Sequence, residues 1–118
     1  MAASGGNGDL IYANGKLSLA VHILATSHGS LQERLLNAWM REGHFALPMG
    51  PGQAGKPMSD ELVARLRAFN DQMSSRPAKA DEGTFAATVL AMSDEEASDA
   101  AAELMSLAYD VRNELDHP

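Results

Sequence analysis

Residues 93–115 constrain the fold most strongly, because they carry the longest periodic run of apolar side chains in the sequence. The spacings alternate between three and four residues, which places these side chains on one face of an α-helix. The row consists of Ala97, Ala101, Leu104, Ala108, Val111 and Leu115, and an overlapping row of Ala100, Leu104, Leu107 and Val111 widens it. We therefore predict a helix of about 22 residues, about 33 Å long, whose apolar face requires neighbouring helices.

A capping box indicates where this helix begins. Ser93 precedes Glu96 by three residues, so each side chain can accept a hydrogen bond from a free backbone N–H of the first turn. The acidic cluster of the segment comprises Asp94, Glu95, Glu96, Asp99 and Glu103. Such a cluster is either a docking surface for a basic protein or a helix start followed by a solvated face. The capping pattern and the helix dipole favour the second interpretation.

The apolar row of 93–115 is also the candidate interaction site. Half of its members are alanine, and small side chains let a neighbouring helix approach closely. The row can pack inside its own domain or across a two-fold axis against a second copy, since both use the same contacts. Because the predicted helix is longer than its neighbours, part of the row could extend to another chain. The candidate interaction residues are Ala97, Ala101, Leu104, Ala108, Val111 and Leu115.

A second capping box precedes residues 31–42. It is formed by Ser30 and Glu33, and the apolar face that follows includes Trp39, the single tryptophan of the chain. We predict a helix that buries this ring and ends at Gly43, a residue typical of helix C-termini.

Two more helices are predicted in the second half of the chain. Ser59 is a suitable N-cap for residues 60–73, and Glu61 lies one turn before Arg65, which predicts an ion pair along this helix. Residues 84–92 are predicted to form a short helix that ends where the last helix begins.

Residues 16–27 fit two structures. Apolar residues alternate from Leu17 to Ile23 as in a half-buried strand, whereas Leu17, Ala20 and Leu24 share a helical face. A lone strand would have nothing to pair with, so we predict a helix.

The glycine-rich segment 1–15 is predicted to be a flexible N-terminal arm, because glycine loses much backbone entropy on ordering. Residues 16–118 are then a single helical domain, a size that suits one hydrophobic core.

Residues 44–58 are rich in glycine and proline and predict a long connection without regular structure. It is either disordered or a functional lid. The segment 50–57 follows the G-x-x-x-x-G-K pattern of phosphate-binding loops. However, Pro57 replaces the Ser or Thr that would bind magnesium, so a linker is the favoured interpretation.

The four histidines, His22, His28, His44 and His117, do not show the spacing of a metal site. Capping or surface roles are favoured for them. We predict no catalytic residue, no cofactor and no metal site from these motifs.

The net charge of −7 disfavours direct contact with nucleic acid or anionic membranes. The absence of cysteine excludes disulfides and cysteine-ligated zinc. The longest apolar run, residues 17–25, is too short to span a bilayer and lacks the basic start of a signal peptide, so a cytoplasmic location is expected.

These observations predict an all-α bundle of four to five helices with a long Gly/Pro-rich loop. The function we expect is that of a small acidic interaction or regulatory module, non-enzymatic, which binds a protein partner or itself as a homodimer. The competing hypothesis is a ligand-binding or enzymatic domain that uses residues 44–58 as a lid over His28, Ser30 and His44.

Overall fold

The computed structural model describes residues 9–48, 56–78 and 83–117, and within these ranges the chain forms five α-helices and no strand. The helices are α1 (Leu10–Thr26), α2 (Leu31–Arg41), α3 (Asp60–Met73), α4 (Gly83–Val89) and α5 (Asp94–Asp116), and a 3₁₀ turn (Gly43–Ala46) follows α2. The prediction of a small all-α bundle is confirmed. No helix in the described ranges is long and apolar enough to cross a membrane.

Helix α1 begins earlier than predicted, at Leu10 rather than near residue 16. The carboxylate of Asp9 caps it and accepts a hydrogen bond from the Ile11 N–H at 2.9 Å. Leu10 and Ala13 are buried. The assignment of residues 10–15 to a flexible arm is therefore wrong, because packing of two apolar side chains outweighs the low helix propensity of this segment. Residues 1–8 of the predicted arm lie outside the described ranges.

The helical interpretation of residues 16–27 is confirmed. Leu17, Ala20 and Leu24 are buried on one face, while Leu19, which would share a strand face with Leu17, is 49% exposed. Only the tertiary neighbours of α1 distinguish these two patterns.

Helix α2 has the predicted capping box and buries Trp39 completely. The indole stacks edge-on against Phe69 of α3 at 4.8 Å between ring centroids. Its Nε1–H donates to Oδ1 of Asn70 at 3.0 Å, so the polar edge of the ring is satisfied inside the core.

The chain after α2 is more ordered than predicted. Gly43 does not adopt the left-handed backbone conformation that glycine often has at a helix C-terminus, so it does not end α2 in the predicted way. It opens the 3₁₀ turn, and its Cα lies against the Trp39 ring. Ala46 and Met58 are buried near the two ends of the predicted loop 44–58. Residues 49–55, which include most of the phosphate-loop-like pattern, lie outside the described ranges.

Helices α3 and α4 lie close to their predicted positions. Ser59 caps α3 as expected, but Arg65 forms ion pairs with α5 instead of the predicted pair with Glu61. Helix α4 ends at Val89, three residues before the predicted end.

The core lies between α1, α2 and α5. Helix α1 packs against α2, α5 and the 3₁₀ turn, while α5 also contacts α2 and α3. Helix α4 closes one end by contacts with α2 and α3. Among the residues that the structure describes, α5 thus has neighbours on one side only, and its opposite side is exposed.

Candidate interaction surface on α5

The candidate interaction row predicted from the sequence lies inside the domain. Ala97, Leu104 and Val111 are 0% exposed and Ala101 is 9% exposed. The two remaining members, Ala108 and Leu115, are partly buried against the same core. Because α1, α2 and α3 of the same chain pack on this side of α5, a second copy finds no exposed surface at the four buried residues.

A different row of α5 is exposed along its whole length. We call it the outer face, and it consists of Glu95, Ser98, Ala102, Met105, Tyr109, Arg112 and Asp116, all of which are exposed. Tyr109 is 70% exposed and Met105 is 54% exposed. The spacings again alternate between three and four, so α5 carries two heptad-like rows, offset by one residue and therefore about 100° apart around the helix.

The physical reason for the choice of buried row is visible in the sequence. The outer face has three charged residues and a serine among its seven positions, and burying these would leave charges without water. The inner row has none. Met105 and Tyr109 lie on the row that carries the charged residues, so they remain at the surface. The sequence did not single them out as exposed because the more apolar row gave the stronger pattern.

Ion pairs hold one flank of α5 against α3. The Arg65 guanidinium donates to Asp110 at 2.6 Å and to Glu103 at 3.4 Å, and these contacts, with the Asp110 hydrogen bond foremost, raise the pKa of Arg65. The Ser59 N–H donates to Oε2 of Glu114 at 2.7 Å. These contacts anchor α5 along its C-terminal half, so the outer face is presented by a fixed helix.

The acidic cluster at the start of α5 has mostly structural contacts. The Ser93 N–H donates to Glu96 at 2.9 Å, and this backbone hydrogen bond lowers the pKa of Glu96. The Gln32 side chain donates to Asp94 at 2.9 Å, which ties α2 to this end of the helix. Glu95 is exposed at the first position of the outer face.

The histidines are dispersed over the molecule. His22 and His28 are exposed on and after α1. Nδ1 of His44 lies 3.0 Å from the Trp39 carbonyl oxygen, and Nδ1 of His117 lies 3.1 Å from the carbonyl oxygen four residues earlier. In the described ranges no three His, Asp or Glu side chains are grouped as a metal site would require.

Ser30, one of the residues that the lid hypothesis placed in a polar site, belongs to the capping box of α2. Its hydroxyl accepts from the Glu33 N–H at 3.1 Å, and its own N–H donates to Glu33 at 2.8 Å. The carbonyl of Lys56, at the end of the proposed lid, accepts from the Leu10 N–H at 2.7 Å and so helps to begin α1.

An apolar cavity of about 510 Å³ lies between the segment after α3 and helix α4. Its lining consists of Arg76, Pro77, Ala78, Ala86, Ala87, Leu90 and Ala91. The volume would suit a small ligand, but Arg76 is the sole ionisable side chain in this lining and the other groups are apolar. The cavity therefore provides no acid–base pair or nucleophile.

Comparisons with protein-family models, with curated proteins and with solved structures find no match to this chain. The fold and the exposed surface thus define it only as a small all-α bundle with one helix face open to solvent.

Proposed function

We propose that this protein is a non-enzymatic, cytoplasmic protein-interaction module and that the outer face of α5 is its binding surface. The observation that carries the proposal is the exposure of Met105 and Tyr109, one turn apart on a helix whose other large apolar residues are packed into the core. Tyrosine and methionine are enriched at protein interfaces, and here the two side chains form a small exposed apolar patch on a fixed helix.

The charges around the pair indicate the chemistry of the partner. Glu95 lies about two turns before Ala102 and about three turns before Met105, and Arg112 follows Tyr109 by three residues. A matching surface has an apolar patch with a basic group at one end and an acidic group at the other. The overall charge of −7 repels an acidic partner at long range, so such a partner should bind more weakly than a neutral or basic one.

The test is affinity capture with the tagged full chain as bait in a lysate that also contains the untagged chain, compared with the tagged double variant Met105→Ser/Tyr109→Ser. The matched control is Leu19→Ser/Met40→Ser, which removes two other large apolar side chains that are 49% and 42% exposed. Captured proteins are quantified by mass spectrometry.

We expect at least one captured protein to be lost with the outer-face variant and retained with the control. Capture of the same proteins in the same amounts by both variants would contradict the proposal, since the outer face would then have no binding role.

A further inference from the structure

We infer that the partner seated on the outer face of α5 is a second copy of this chain, bound antiparallel across a two-fold axis that passes between residues 103 and 104. The inference rests on the proposed function and names its partner. It follows from the complementarity of the outer face with itself.

The outer face carries two small residues, Ser98 and Ala102, before two large ones, Met105 and Tyr109, an order that an antiparallel pair can use. With the axis between 103 and 104, Met105 of one copy faces Ala102 of the other, and Tyr109 faces Ser98. In a two-fold interface each contact occurs twice, so four large side chains each meet a small one. All four residue types are exposed in the monomer and available for this packing.

The same register pairs opposite charges. Arg112 lies as far beyond the axis as Glu95 lies before it, so the two side chains meet at both ends of the interface. Within one copy Arg112 already bonds to Asp116 at 3.1 Å, and both side chains are about half exposed or more, at 62% and 49%. The guanidinium has further N–H groups with which to reach a second carboxylate.

Other pairings of the outer face are less favourable. A parallel pair would place Tyr109 on Tyr109 and Glu95 on Glu95. An antiparallel pair shifted by one heptad would set Met105 opposite Tyr109 and leave Glu95 without a cation. Both alternatives lose the two Glu95–Arg112 ion pairs, and the parallel pair adds contacts between like charges, so the charges of the outer face favour the first register.

One helix pair is a small interface, and two copies of charge −7 repel each other at long range. We therefore expect a dissociation constant in roughly the micromolar range. The experiment is sedimentation equilibrium of the full chain over this concentration range, with Glu95→Arg, Arg112→Glu and the double swap Glu95→Arg/Arg112→Glu.

Each single reversal should weaken self-association about tenfold or more, because two like-charge contacts replace two ion pairs. The double swap should restore the wild-type affinity to within about threefold, and an equimolar mixture of the two single variants should form a heterodimer.

Two matched controls lie on α3. Glu61 occupies the same second position of its helix as Glu95, and Arg67 has Asp71 four residues later just as Arg112 has Asp116. Glu61→Arg and Arg67→Glu should leave self-association unchanged. If each control changes the affinity as much as its matched outer-face variant does, the effect does not depend on the outer face and the inference is overturned.

A spin label at Asn113→Cys measures the orientation, since the chain has no other cysteine. The antiparallel register separates the two labels by 19 residues along the helix axis, which corresponds to about 30 Å, whereas a parallel pair would bring them to about 10 Å. A distance near 10 Å would overturn the inference.

The outcomes separate this inference from the proposed function. A wild type that remains monomeric throughout overturns the second-copy inference. If such a monomer still loses a captured protein through Met105→Ser/Tyr109→Ser, the proposed function stands with a different partner. If capture is unchanged as well, both are overturned.

Discussion

At the scale of single residues, Gly43 shows how a glycine can be required by packing and not by a turn. Its backbone does not adopt the left-handed conformation, which in the described ranges occurs at Gly29 and Gly83. A Cβ added at Gly43 would lie 2.8 Å from Cζ3 of Trp39 and closer still to Cε3. The indole is fixed by Phe69 and Asn70, so it cannot move aside freely.

We predict that Gly43→Ala destabilises the fold by about 1–3 kcal/mol, the usual cost of an added methyl group in a close-packed core. The measurement is urea denaturation followed by Trp39 fluorescence and by circular dichroism.

The matched control is Gly15→Ala, because Gly15 lies within α1 and a Cβ there meets nothing within 4 Å. It should stabilise the protein by about 0.5–1 kcal/mol through higher helix propensity. If both substitutions shift the midpoint in the same direction, the contact between Gly43 and Trp39 does not govern the effect.

At the scale of elements, the helix starts are the features that sequence predicts best. Ser30 and Ser93 each cap a helix and each pair with a glutamate three residues later, as their spacing predicted. Both glutamates accept a hydrogen bond from the serine backbone N–H, which lowers the pKa of Glu33 and of Glu96. A capping box is a local contact and needs no tertiary partner.

These shifts predict the direction of the acid response. A carboxylate with a lowered pKa contributes stability above its unfolded pKa of about 4.3 and loses that contribution as pH falls through the folded value. The wild type should therefore lose stability between about pH 5 and pH 3. The variant Glu33→Gln/Glu96→Gln should lose less over this range, because glutamine can accept the same hydrogen bonds without titrating.

Denaturation midpoints at a series of pH values give this comparison. The control Glu61→Gln removes a first-turn acid of α3 that belongs to no capping box, and its acid response should follow the wild type. A glutamine double variant with the wild-type slope would show that the capping boxes do not contribute to acid unfolding.

At the scale of the whole molecule, stability is distributed unevenly among the helices. Helices α1, α2 and α5 pack against one another and bury five, three and six residues, whereas α4 has seven residues and buries Thr88 and Val89. A helix this short is not stable without its neighbours. Its contacts with α2 and α3 therefore decide whether it is formed.

Hydrogen exchange should show that α4 is locally less stable than α5. We predict that amides of α4 exchange by local opening, well before the amides of 104–111 in α5, which should exchange only with global unfolding. The measurement is exchange followed by proteolysis and mass spectrometry at neutral pH. Equal protection of the two helices would show that α4 opens only with the whole fold.

Several features of the molecule were determined by the sequence alone, because they depend on contacts within one or two turns. The helix periodicity and the Ser30, Ser59 and Ser93 caps follow from local spacing. The apolar face of residues 31–42 also predicted that Trp39 is buried, although the contacts that bury it, Phe69 and Asn70, are distant in the chain. The all-α class follows from the same information.

Other features were decided only by the tertiary structure, since they depend on residues distant in the chain. Arg65 pairs with Asp110, 45 residues away, and not with the neighbour one turn before it. Helix α1 begins at Leu10 because the Leu10 side chain is buried in the core and its N–H donates to the Lys56 carbonyl. The charges of α5 favour burial of the alanine row, but the sequence alone does not say whether helices of the same chain or a second copy cover it. The three-dimensional packing of α1, α2 and α3 covers the alanine row and leaves Met105 and Tyr109 exposed.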